Sequence, residues 1–134
     1  MVTRSDGRVA GSFRDAGGFL FRRDGVLYRQ VNQASAADLR RLHTSGLYDT
    51  LVGQGLLIPH TEVGGELALT DQAACVIAPE PVPFISHPYE WCFSQLQDAA
   101  LLTLRIQKLA VRHGLTLKDA SAYNVQFHQG RPVF

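Results

Sequence analysis

Asp119 and Asn124 are the two residues whose types and spacing best fit a chemical task. They lie in Leu115-Thr-Leu-Lys-Asp-Ala-Ser-Ala-Tyr-Asn124, with four residues between them. A carboxylate on a loop accepts or orients the hydroxyl of a substrate, and a carboxamide five positions later helps hold a divalent cation on nucleotide phosphates. Both side chains must then face one cleft, which explains a short, fixed spacing. In this reading Asp119 is catalytic, Asn124 is a metal ligand and the cofactor is a Mg-nucleotide. The spacing alone arises often by chance. The same two residues serve equally well as turn formers bonded to nearby backbone.

Other chemistries have weaker support. The five histidines (His43, His60, His87, His113, His128) form no H-x3-H or H-E-x2-H pattern, which argues against zinc. Cys75 and Cys92 show no C-x-x-C pairing and read as thiols in a reducing compartment. No serine stands in a G-x-S-x-G context. Gly53-Gln-Gly55 follows no strand pattern and reads as a helix stop rather than a nucleotide loop, and Gly17-Gly18 reads as a turn before a strand. The aromatic group Phe84, Tyr89, Trp91 and Phe93 is expected in the core rather than as a ligand platform.

The elements that would position the Asp119 loop follow from periodicity. An amphipathic stretch from Pro88 to His113 leads into it, with Phe93, Leu96, Ala100, Leu104 and Val111 on one stripe. Leu101, Leu102, Ile106 and Leu109 widen that stripe. Pro88 suits a first helical turn, with His87 as cap and Glu90 near the third position. Gly114 breaks the pattern. After Asn124 come an alternating segment (Val125, Phe127), a Gln129-Gly130 turn and a second apolar run to Phe134. Helix, polar loop with Asp-x4-Asn, then hairpin is the order around the catalytic loop of kinase-like phosphotransferases. Two features depart from that pattern. Leu117-Lys118 stands where His-Arg or His-Gly is usual, and the N-terminal strands carry Arg29 but no lysine. A further metal-binding acid is expected about a dozen residues after Asn124, beyond Phe134, so the chain is expected to be a piece of a longer one.

Upstream, residues 1–12 read as a flexible tail. Phe19–Arg23 and Val26–Val31 are β-prone runs joined by Asp24-Gly25, a strong hairpin signal. Ser35 is expected to cap a helical pair over about 35–53, broken at Gly46. Leu56–Val63 and Glu66–Thr70 flank Gly64-Gly65 as a second hairpin, shortened by Pro59. Cys75–Ala78 and Phe84-Ile85 are further strand-like pieces.

The 134 residues suit a single domain, 13–134, with one core. Hydrophobic residues make up 46% and charged residues 19%, which excludes a disordered chain. A net charge of +1 gives no field to steer nucleic acid or anionic membrane. Eleven of the thirteen basic residues are Arg, so few amines are available for phosphate pairing. There is no apolar run of membrane-spanning length and no signal-peptide pattern at the N-terminus. The expected setting is the cytoplasm, with neither nucleic acid nor membrane as partner.

Several strings together carry a resemblance: Phe13-Arg-Asp15, Asp24-Gly-Val-Leu-Tyr-Arg-Gln30, Ser45-Gly-Leu-Tyr48, Gly55-Leu-Leu-Ile-Pro-His60, Pro83–Trp91 and Leu117–Asn124. With them the chain from Phe13 onward resembles the N-terminal region of bacterial SAM-dependent methyltransferases of the rhizobial nodulation-protein type. The resemblance implies a parent protein that uses SAM in a C-terminal methyltransferase domain, which would be this chain's partner. It assigns no catalytic residue here. The chain itself has no SAM-binding glycine motif, so no cofactor is expected in this piece.

The expected fold is α+β: a small antiparallel sheet or hairpins packed with a long helix, part of a protein-kinase-like fold in the favoured version. Three functions compete: a recognition or docking module beside a methyltransferase domain, a truncated kinase-like phosphotransferase domain, and a structural or dimerising segment. The wide apolar stripe and the final strand are both expected to favour self-association.

Overall fold

The computed structural model describes residues 7–134. The chain divides into two compact units, one formed by the described residues up to Arg41 with Pro59–Pro81, the other by Leu42–Ile58 with Val82–Phe134. The sheets are antiparallel throughout and accompany separate helices, so the class is α+β.

Unit 1 holds a five-stranded sheet. Its strands are β1 (Gly7–Arg8), β2 (Gly18–Arg23), β3 (Val26–Asn32), β4 (His60–Val63) and β5 (Ala73–Pro79), in the order β1-β2-β3-β5-β4. Asp24 and Gly25 both take positive φ (51° and 77°), the two-residue turn whose twist matches paired strands. Phe19, Phe21 and Val76 are buried, and Tyr28, across from Phe21, stacks on its ring at 5.5 Å. Gly7–Arg8, inside the segment expected as a tail, pair with β2. Residues 1–6 of that segment lie outside the described residues.

The second hairpin forms with a different partner strand. Glu66–Thr70 is not a strand; Gly65–Leu67 is a 3-10 turn, and β4 pairs with β5 instead. The reason is a side chain. Gln30, fully buried on β3, accepts hydrogen bonds from the Leu69 and Thr70 amides (2.9 and 3.2 Å). It donates to Thr70 Oγ1 (2.6 Å) and Asn32 Oδ1 (2.8 Å). Backbone groups that a ladder would have used are thus satisfied by an amide. Gly18 stands where β2 passes so near β3 that a Cβ would overlap the Gln30 carbonyl oxygen.

Helix α1 (Gln33–Thr44) starts two residues before the expected Ser35 cap and is parted from the next helix by Gly46 (φ 79°), where a break is expected. Unit 2 takes up at Leu42 and contains α2 (Leu47–Gly53), α3 (Phe93–Arg112), β6 (Gln126–His128) and β7 (Arg131–Val133). Both α2 and α3 end with a left-handed glycine that turns the chain back. Gly55 donates to Val52 and Leu56 to Leu51; Gly114 donates to Val111 and Leu115 to Ala110. This paired pattern satisfies the last carbonyls and points the residue after the glycine inward. Leu56 is accordingly buried, and Leu115 packs on the same core as Leu47, Leu51, Leu102, Ile106 and Val125.

The long helix begins five residues later than the sequence indicates. Pro88–Glu90 is a 3-10 turn, closed by Glu90 Oε2 accepting from His87 N at 2.7 Å. The expected capping residues therefore cap this turn, and α3 starts afresh after Cys92, whose amide donates to Gln95 Oε1 (3.1 Å). Phe84-Ile85 lie in no strand. Nor is β7 left with a bare edge: Phe134 N donates to Leu56 O and Phe134 O accepts from Ile58 N, both at 2.9 Å. The helix buries Ala99, Leu102, Ile106 and Ala110, leaving Phe93, Leu96, Ala100, Leu104 and Val111 exposed.

Candidate functional site

The Asp119 loop joins α3 to β6 inside unit 2. Its start is held by α3 itself. Gln107 Oε1 accepts from the Leu117 amide (2.9 Å), and its Nε2 donates to Thr116 Oγ1 (2.9 Å). Its end is held by Val125, which is fully buried in the core. The Gln129-Gly130 turn that follows takes positive φ at both residues (51° and 74°), closing the β6–β7 hairpin as its sequence indicates.

Between these anchors the structure brings Asp119 and Asn124 together. Asn124 Nδ2 donates to the Asp119 carbonyl oxygen at 2.5 Å and lies 3.4 Å from Ser121 Oγ. A 3-10 turn, Ala122–Asn124, carries the chain between them, with Asn124 N donating to Ser121 O. Asp119 has φ 50°, the left-handed region, which an acyclic L-residue occupies at some cost and which Asp tolerates better than most. Both residues are exposed. The carboxamide is thus oriented: its nitrogen is committed to backbone, and its Oδ1 remains to accept or to ligate.

The donor chemistry suits a hard cation in a limited way. Oxygen donors from one carboxylate and one carboxamide are what Mg2+ uses when phosphate oxygens and water complete its shell. Among the described residues no three His, Cys, Asp or Glu side chains cluster as a cage. Arg29, the cation on β3, is paired with Asp15 (2.8 Å), whose Oδ1 also accepts from Gly17 N. Gly17 and Gly18 are accounted for by that turn and by the close approach to β3. Gly53-Gln-Gly55 ends α2, as expected.

The aromatic group departs from expectation. Phe84, Tyr89 and Phe93 are exposed at 75%, 75% and 79%, outside the core. Trp91 packs on the core of unit 2, edge-on to Phe127 at 5.1 Å, with Nε1 donating to Ser86 Oγ (2.9 Å), while Tyr89 stacks on His87 at the surface (5.4 Å). Ser86 N donates to Gln126 Oε1, so residues 86–91 are fastened to β6. Gln107 and Gln126 are the two positioning residues that sequence reasoning missed. Gln126 sits at the polar position of the Val125–His128 alternation and Gln107 beside Lys108 on α3, so neither gives a local signal that sets it apart.

Among the described residues no helix is long and apolar enough to cross a membrane. No family model and no solved structure matches the chain. It is 36% identical over 130 residues to nodulation protein NoeA of Rhizobium meliloti (strain 1021), a match that covers 96% of this chain. The chain spans 27% of that relative's length, so its similarity is to part of a nodulation protein.

Proposed function

We propose that this chain is the recognition module of a longer protein of the nodulation-protein type and does not itself transfer methyl groups. Its partner in this reading is the C-terminal methyltransferase domain of the parent chain, which supplies the SAM site. The observation that carries the proposal is the brace between Asn124 and Asp119. A loop whose backbone is braced at Asp119 and anchored at both ends presents that residue's carboxylate to solvent, where it can accept a hydrogen bond from a substrate hydroxyl. The match to only a quarter of NoeA agrees with a division of labour within a longer protein.

A second reading, phosphoryl transfer, is favoured by the order of elements about that brace. A long helix, an Asp-x4-Asn loop and a short hairpin follow one another in unit 2, as in kinase-like phosphotransferases. Asp119 would orient the acceptor hydroxyl and Asn124 Oδ1 would hold Mg2+, which supplies charge neutralisation on the nucleotide phosphates. Arg29 is ion-paired with Asp15 and is a guanidinium, not the amine that this chemistry uses on the phosphates.

Amide chemical shifts separate the two. Titration with Mg-ATP moving the Asp119–Asn124 resonances establishes the second reading. No shift with Mg-ATP or with SAM, together with loss of product formation by the longer protein on Asp119→Ala at unchanged melting temperature, supports the first. Binding of SAM to these 134 residues overturns it.

A further inference from the structure

We draw no further inference here: the strongest candidate, the exposed apolar patch of Phe84, Ile85, Tyr89 and Phe93 about the turn that leads into α3, carries nothing because no observation in the structure shows what covers it.

Discussion

The Asn124 side-chain nitrogen donates to the Asp119 carbonyl oxygen at 2.5 Å, closing the loop on itself across five residues. The bond ties the side chain of one candidate residue to the backbone of the other. A change at Asn124 therefore acts first on the conformation of Asp119, whereas a change in the Asp119 side chain leaves the acceptor in place. Substitutions at the two positions are not equivalent, and their difference tells structure from chemistry.

Asp119→Gly should leave stability almost unchanged. Glycine relieves the cost of φ 50°, about 1 kcal/mol, and gives back a similar amount through the freer unfolded chain. Asp119→Val should cost about 1–2 kcal/mol, because a β-branched residue is poorly accommodated at positive φ. Thermal melts of the two variants check the backbone argument. If the carboxylate has a role, both variants lose product formation in the longer protein alike, despite their different stabilities.

Gln107→Ala should loosen the start of the loop at a cost of about 1 kcal/mol. Its carboxamide serves the Leu117 amide and the Thr116 hydroxyl together. Gln107→Glu keeps an acceptor for Leu117 N, and Thr116 can donate to the other oxygen, so this variant should recover most of the loss. Hydrogen exchange at the Leu117 amide is the direct readout. It should quicken in Gln107→Ala and stay near the wild-type rate in Gln107→Glu.

Local features were legible in the sequence, and long-range ones were not. Asp24-Gly25 and Gln129-Gly130 announce their turns because two adjacent residues must both adopt positive φ. Gly55 and Gly114 announce the ends of α2 and α3 for a similar reason. The Asp119 loop was placed correctly because Gly114 and Val125 bracket it. The buried side of α3 could not be chosen from periodicity, since Phe93–Leu104–Val111 and Leu102–Ile106 are both apolar rows. The failure at Glu66–Thr70 is of another kind. Gln30 binds that segment from 39 and 40 residues away in sequence, a distance that no spacing rule crosses.

Gln30→Leu should therefore be among the most damaging changes in unit 1. Its volume is nearly conserved, but it leaves the Leu69 and Thr70 amides and Asn32 Oδ1 without their partner. Each group left unsatisfied costs about 1–3 kcal/mol unless water reaches it. A total of about 3 kcal/mol or more is expected from denaturant unfolding. A loss below about 1 kcal/mol would mean that the 68–72 segment moves away and hydrates, as faster exchange at Leu69 and Thr70 would reveal.

Cys75 should make stability fall at alkaline pH. Its thiol pKa is raised, first by burial on β5 and then by the negative charge of Glu62. A group whose folded pKa lies above its unfolded value holds its proton more tightly when folded. Its contribution is complete below the unfolded pKa, about 8.5 for an ordinary cysteine, and is lost as pH rises through the folded value. Cys75→Ser removes the thiol, and the difference in stability between wild type and variant should shrink as pH climbs from 8 toward 10. Glu62→Gln should reduce the slope by removing the smaller of the two causes, while burial maintains the rest. Alkylation checks the same point chemically, because the thiolate is the reactive form. At pH 8 the exposed Cys92 should react before the partly buried Cys75, and Glu62→Gln should quicken Cys75 while leaving Cys92 unchanged. Equal rates for the two thiols would contradict the raised value.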